Sequence, residues 1–234
     1  MKTLYLIPAP IADVDFSYIF PNYNLFIINE LHIFIVENIR TARRFIKRAA
    51  PEIDIDKLVF FELNKHTKQT DLQEIKKVLQ NGEDIGFMSE AGCPAIADPG
   101  AELVNIVQRF DYKIIPLVGA SSIVLALMAS GFNGQNFAFT GYLPVKEPDR
   151  LRTVKKLENR VFLENQTQIF IETPYRNSKL ISDLLQNLNP NIRLCIAADL
   201  TAPTQFISTK KIAEWKNSPI PDLNKRPAIF LIYK

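Results

Sequence analysis

Ser89-Glu90-Ala91-Gly92-Cys93-Pro94-Ala95-Ile96-Ala97-Asp98-Pro99-Gly100 is the stretch that decides how this chain folds. Before it stands a short apolar run, Asp84-Ile85-Gly86-Phe87-Met88, and after it come Leu103, Val104, Ile106 and Val107 at helical spacing. A short apolar run bounded by turn residues predicts a buried strand. The quoted stretch is then the loop at that strand's carboxyl end, with Asp98 as helix cap and Pro99 at the first helical position. The pattern repeats at once: a strand over Lys113 to Val118, the loop Gly119-Ala120-Ser121-Ser122, and a helix over Ile123 to Ser130. In open α/β sheets, ligands bind in the crevice outside the carboxyl ends of strands. All eight glycines lie between Gly82 and Gly141. Left-handed backbone and close backbone approach are therefore concentrated in this one region.

Toward the amino terminus, Thr3 to Ile7 reads as a strand that ends at Pro8-Ala9-Pro10, where two prolines stop a ladder and stiffen the loop. That loop is either the border of a site or a plain turn. Asp15 to Phe20 is a predicted helix, Phe34 to Val36 a second strand followed by Glu37-Asn38, and Leu58 to Glu62 a third strand. Between the last two, Arg40 to Arg48 holds five cations and no acid. On a helix, Arg40, Arg43, Arg44 and Lys47 share one face, which is either a phosphate-binding surface or a solvated one. The loop Asn64-Lys65-His66-Thr67-Lys68 is polar and basic, and Leu72, Ile75, Val78 and Leu79 mark an amphipathic helix.

Toward the carboxyl terminus, strands are expected over Phe137 to Tyr142, Thr167 to Glu172, Ile192 to Ala197, Phe206 to Thr209 and Arg226 to Tyr233. Helices are expected over Lys146 to Arg160, Lys179 to Leu188 and Ile212 to Trp215, the first carrying Arg150, Arg152, Lys155 and Lys156. The first half thus reads as alternating parallel βα units and the second as a mixed sheet with helices. The expected organisation is two α/β domains, 1–116 and 117–234, and clefts between domains are favoured ligand sites.

The 234 residues are 47% hydrophobic and 23% charged, enough to fill a core. No apolar run approaches the roughly 20 residues of a membrane span, and Leu4 to Ile7 is too short for a signal peptide core. Two distant cysteines, Cys93 and Cys195, offer neither a disulfide framework nor a zinc spacing, which suits the cytoplasm. With only His32 and His66, no dedicated metal site is expected. The net charge of +3 does not by itself demand nucleic acid. No Walker A loop, G-x-G-x-x-G, G-x-S-x-G or H-E-x-x-H occurs. What remains is a set of strand-end loops that can present backbone groups. Gly119 to Ser122, at a helix start, can receive a carboxylate or phosphate or can be an ordinary cap. Glu90 can bond a ligand hydroxyl or ammonium, or cap the turn. Cys93 is a packing residue, with no histidine near in sequence to activate it.

The stretch Ser89 to Gly100 resembles the S-D-A-G-T-P-x-I-x-D-P-G segment of the bacterial rRNA small-subunit methyltransferase I family, within the tetrapyrrole methylase superfamily. Pro116 to Ser122 is similar to its P-L-P-G-P-S/C-A loop, Phe139 to Pro144 to F-x-G-F-L-P, and Ile169 to Arg176 to I-F-Y-E-S-P-H-R. Leu4 to Pro10 and Val36 to Thr41 match more loosely. The resemblance implies a tetrapyrrole-methylase-like fold of two α/β domains, S-adenosylmethionine in the cleft between them, and a homodimer. It also implies cofactor contacts from Pro8, Pro10, Glu90, Gly92, Cys93, Pro94, Gly119, Ala120, Ser121 and Ser122, with Tyr142, Leu143 and Ala228 adding to them.

Departures from the family pattern fall in two places. P-I-G-N-L reads Pro10-Ile11-Ala12-Asp13-Val14, and E-L-T-K-x-x-E reads Asp199-Leu200-Thr201-Ala202-Pro203-Thr204-Gln205, without the lysine and second glutamate. The expected activity is methylation of small-subunit ribosomal RNA at a ribose 2′-hydroxyl, with the small ribosomal subunit as partner. The basic faces at Arg40, Arg43 and Lys47 and at Arg150 to Lys156 would contact phosphate, and Glu37 and Lys65 are the candidates for acceptor chemistry. Two alternatives stay open: a small tetrapyrrole-like acceptor, or a methylase-like protein that binds cofactor or RNA and transfers nothing.

Overall fold

Short runs of β-branched and aromatic residues form two separate five-stranded sheets in the computed structural model, which describes residues 2–64, 67 and 69–234. The chain divides into two compact units, Met1–Ser121 and Ser122–Lys234.

The first unit holds β1 (Thr3–Leu6), α1 (Phe16–Ile19), α2 (Asn22–Glu30), β2 (Ile33–Val36), α3 (Ile39–Ala49), β3 (Val59–Glu62), α4 (Gln69–Asn81), β4 (Ile85–Met88), α5 (Gly100–Val107) and β5 (Lys113–Pro116). Its strand order is β3-β2-β4-β1-β5, and every pairing is parallel. Parallel strands need crossovers that place helices on the sheet faces. The side-chain alternation of a strand then feeds two cores at once. Phe34, Val36 and Met88 pack with Ile27 and Ile28 of α2 and Ala42 and Ile46 of α3. Ile33, Ile35, Ile85 and Phe87 pack with Ile75 and Leu79 of α4 and Leu103 and Val107 of α5. All four residues of β2 and all four of β4 are buried, as befits strands covered on both faces.

Helix α5 begins at Gly100, with Pro99 at the cap position, one residue later than the sequence suggested. Asp98 still performs the capping: its carboxylate accepts from Gly100 N at 2.7 Å and from Ala95 N at 3.0 Å. Helix α2 was not anticipated. It starts after Pro21 without a side-chain cap and presents only Asn24, Ile27 and Ile28 to the interior.

The second unit holds α6 (Ser122–Ser130), β6 (Phe137–Tyr142), α7 (Glu147–Leu163), β7 (Thr167–Ile171), α8 (Asn177–Asn187), β8 (Arg193–Ala198), β9 (Phe206–Lys211), α9 (Ile212–Trp215) and β10 (Ala228–Tyr233). Its sheet, in the order β6-β7-β10-β8-β9, is mixed: β6 and β7 run parallel and the remaining pairs antiparallel. Val154, Leu157 and Val161 of α7 and Leu180, Ile181 and Leu184 of α8 fill the core over Phe170, Phe230 and Ile196. Trp215 closes it, with its indole N–H donating to Leu194 O at 2.9 Å.

One expected phosphate contact is overturned here. Arg150 is buried, and both its Nε and Nη2 donate to Asp183 Oδ2, at 2.8 and 2.6 Å. Its Nη1 donates to Val145 O, fastening the turn after β6 to α8. The cause is helical phase: Arg150 lies on the same face of α7 as Val154 and Leu157. Lys155 is likewise engaged, at 2.8 Å from the carboxylate of Glu158.

Candidate functional site

Three loops leave the carboxyl ends of β1, β4 and β5, and main-chain and side-chain contacts tie them together. Ala9 and Gly92 exchange both backbone hydrogen bonds, each 2.9 Å, so the first two loops form a two-residue antiparallel bridge. Gly92 has φ +73°, a conformation that costs an L-residue roughly 1–2 kcal/mol. Gly119 meets a different demand: a Cβ built on it would stand 2.2 Å from Pro8 Cγ. The third loop therefore lies directly on the first. Cys93 Sγ approaches Ala120 O at 3.6 Å, which joins the second loop to the third. Burial pushes the Cys93 thiol above its ordinary value, so it stays protonated and packs. Pro8, Gly92, Cys93, Gly119 and Ala120 are thus brought together, with Pro10, Glu90, Pro94 and Ser121 in the same loops.

Beside this junction is a cavity of about 550 Å³, within the approximate 300–1,000 Å³ range of small-molecule sites. Its walls come from Pro10 and Ile11, from Glu37 and Asn38 after β2, from Ser89 and Glu90 after β4, and from α3. The geometry follows from topology. The chain leaves β2 for a helix on one face of the sheet, whereas the chain leaving β4 runs to a helix on the other. The loops diverge there and leave a crevice.

Two carboxylates line it. Glu37 Oε2 accepts from Glu90 N at 3.2 Å, and Glu90 Oε1 accepts from the Thr41 hydroxyl at 3.3 Å. Each carboxylate retains further acceptor capacity. Thr41 and Asn38, the N-cap of α3, are site residues that the sequence reading passed over. The signal for Asn38 was present as an Asn before a helical run. Lys65 lies outside the described residues.

The five cations of α3 differ in their surroundings. Arg43 pairs with Asp56 and lies over the Phe60 ring. Lys47 donates to Pro51 O and, at 3.0 Å, to Ile53 O. Arg48 pairs with Asp13 at 2.6 Å and sits 4.7 Å from the centroid of Phe16. Arg40 and Arg44 are exposed and have no ion pair among the described residues.

In the second unit, Ser122 begins α6 and Tyr142 stands exposed at the end of β6. The Leu143 side chain is in the core, so only its main chain can meet a ligand. Ala228 opens β10 opposite Ala198. At the same sheet edge, Glu172 is buried and holds Thr173 N at 2.7 Å and Arg176 Nε at 2.9 Å. In the second unit, the residues that depart from the family pattern, Asp199 to Gln205, form a hydrogen-bonded loop. Gln205 Oε1 accepts from Thr201 N at 2.9 Å, and Asp199 Oδ2 accepts from Arg226 Nε at 2.7 Å. Among the described residues, no group of three His, Cys, Asp or Glu side chains could hold a metal, and no helix is long and apolar enough to cross a membrane.

Comparison with known proteins supplies the family. The model of the Tetrapyrrole (Corrin/Porphyrin) Methylases matches residues 28–216. The chain is 31% identical over 218 residues to Ribosomal RNA small subunit methyltransferase I of Buchnera aphidicola subsp. Acyrthosiphon pisum (strain APS), covering 91% of this chain and 72% of that protein. It is 26% identical over 224 residues to the protein of the same name from Pseudomonas aeruginosa, covering 96% and 75%. Among solved structures, the methyltransferase CobJ superposes with TM-score 0.64 at 14% identity, covering 100% of this chain and 95% of that one. Uroporphyrin-III C-methyl transferase from Thermus thermophilus, complexed with S-adenyl homocysteine, superposes with TM-score 0.57 at 14% identity, covering 100% and 98%. At such identities these structures speak for the fold alone. The family match over most of the length, joined to the strand-end loops just described, places the chain in the tetrapyrrole (corrin/porphyrin) methylase family as an S-adenosylmethionine-dependent methyltransferase.

Proposed function

We propose that this methyltransferase modifies small-subunit ribosomal RNA, at a ribose 2′-hydroxyl. The observation that carries the reading is its likeness, over 91% of its length, to a relative named as a methyltransferase of that RNA. The site's residues fit the methyl donor. Gly92 and Gly119 keep side-chain bulk out of the loop junction, and Ala91, Ala120 and Ser121 add little to it. Pro8, Pro10, Glu90, Gly92 to Pro94 and Gly119 to Ser121 would hold it. When bound, the sulfonium supplies an already activated methyl group.

The chain's own task is then alignment and proton removal. Alignment of an oxygen with the methyl carbon converts an encounter into an oriented reaction. A ribose hydroxyl must also lose its proton as the new bond forms. Glu37, whose carboxylate lies in the cavity with one oxygen fixed by Glu90 N–H, is the group proposed to receive it.

The test has two steps. Calorimetry with S-adenosylhomocysteine should show one site per chain. Labelled methyl groups should then enter small ribosomal subunits from a strain lacking this modification, and the modified linkage should resist alkali, as a ribose without its free 2′-hydroxyl must. Label in an alkali-labile position would move the acceptor to a base, and no label at all would sink the RNA reading.

A further inference from the structure

Three of the five cations on α3 are already engaged within the first unit: Arg43 with Asp56, Lys47 with two carbonyls, and Arg48 with Asp13 and the Val14 carbonyl. Arg40 and Arg44 are left. They stand one helical turn apart, about 5–6 Å between Cβ atoms, both exposed and without partners among the described residues. Arg44 lines the cavity. The wall beside it is aromatic: Phe16 and Phe45 also line the cavity, and their ring centroids are 5.4 Å apart. Phe20 packs on both rings and Arg48 covers Phe16, so this wall is held in place before any ligand arrives. Glu37, whose carboxylate accepts from Glu90 N–H, lines the same cavity.

Taken together, the cavity offers one unpaired guanidinium, Arg44, in its lining, with Arg40 exposed one turn away on the same helix, and beside them an aromatic wall and a carboxylate acceptor for hydroxyl donors. Each matches one part of a nucleotide. Guanidinium groups bind phosphate oxygens through two parallel hydrogen bonds. Aromatic faces receive unstacked bases of single-stranded RNA. Carboxylates accept from sugar hydroxyls.

We propose that the cavity beside α3 receives one unpaired nucleotide of the acceptor RNA. In this arrangement Arg40 and Arg44 hold its flanking phosphates, and Phe16 and Phe45 form the wall for its base. The inference rests on the RNA reading above and narrows it. The RNA contact is not the broad face of Arg40, Arg43 and Lys47 but the pair Arg40 and Arg44, and the same cavity excludes a fully stacked duplex.

The experiment reads binding of the full chain to small ribosomal subunits across a salt series, with S-adenosylhomocysteine affinity measured alongside. Arg40→Ala/Arg44→Ala should weaken subunit binding about tenfold or more and lower the log–log salt slope by about one per cation removed. Its S-adenosylhomocysteine affinity and melting temperature should match those of the unsubstituted chain. Arg44→Lys should recover part of the affinity and most of the slope. Arg43→Ala should lower the melting temperature and leave the slope in place. The inference is overturned if the double variant keeps the original affinity and slope. It is equally overturned if S-adenosylhomocysteine affinity falls in step, which would give the cavity to the cofactor. Absence of methyl transfer by the unsubstituted chain counts against the functional reading alone, because subunit binding is measured without it.

Discussion

At the scale of single residues, Gly119 has the least freedom to change. A Cβ there would lie 2.2 Å from Pro8 Cγ and 2.3 Å from Pro8 Cβ. A proline ring is closed onto its own backbone and cannot swing aside as the end of a lysine can. Gly119→Ala must therefore move one loop off the other. We expect a loss of about 1–3 kcal/mol in urea unfolding, the usual range for overpacking, together with weaker S-adenosylhomocysteine binding. An alanine variant with unchanged stability and affinity would show that the two loops separate freely. Gly92 differs, because a Cβ there meets only ordinary contacts and the constraint is its φ of +73°. Both glycines were legible in the sequence as members of strand-end loops. Their distinct reasons were not, because Pro8 and Gly119 lie at opposite ends of the first unit's chain and meet only once β5 has paired with β1.

At the scale of elements, the sequence showed most strands and helices, because short apolar runs between turn residues and 3.6-residue periodicity are local signals. It did not show what the charged helices face. Arg43 and Lys47 find their partners in the Pro51–Asp56 segment beyond the helix, and Arg150 finds Asp183 on another helix, so charge pairing within one helix could not reveal them. The Arg150–Asp183 pair carries the larger consequence. Removal of one member of a buried pair costs about 3–5 kcal/mol because the other stays behind, charged. Lys179 remains 3.0 Å from Asp183 Oδ1, which favours the low end of that range. Arg150→Met should thus lose about 3 kcal/mol, whereas Arg152→Met, with its exposed guanidinium, should lose well under 1 kcal/mol. Equal losses in the two variants would refute the assignment of Arg150 to the interior.

The loop before α5 makes a prediction about pH. Burial holds the Asp98 carboxyl above its ordinary value, against the opposing pull of its bonds from Gly100 and Ala95 N–H. The folded chain therefore binds this proton more tightly than the unfolded chain does. Its contribution to stability is greatest below the ordinary carboxylate value and declines as pH rises through the raised one. Asp98→Asn keeps an acceptor oxygen for Gly100 N–H and does not titrate. The stability of the original chain relative to the Asn variant should fall across that window and then level off. Parallel pH profiles would mean that Asp98 does not titrate abnormally in the folded state.

For the whole molecule, the change from alternating βα units to a mixed sheet was visible in the order of the predicted elements. What that order left open is how self-sufficient each half is, and the cores answer it. The two apolar clusters of the first unit draw their buried residues from Leu4 to Leu117, and the cluster of the second draws its own from Leu143 to Ile232. Each sheet likewise completes its pairings within its own unit. At roughly 110–120 residues, each is near the usual size of an independent domain. Residues 1–121 and 122–234 made as separate chains should therefore each fold, with dispersed amide spectra and a single cooperative urea transition whose slope suits a chain of that length. The first should fold more slowly, because its β1 must pair with β4 and β5 across long stretches of chain, whereas β8 and β9 of the second are sequence neighbours. A fragment that keeps helical signal but shows collapsed amide dispersion and a broad transition would mean that its core is not sufficient by itself.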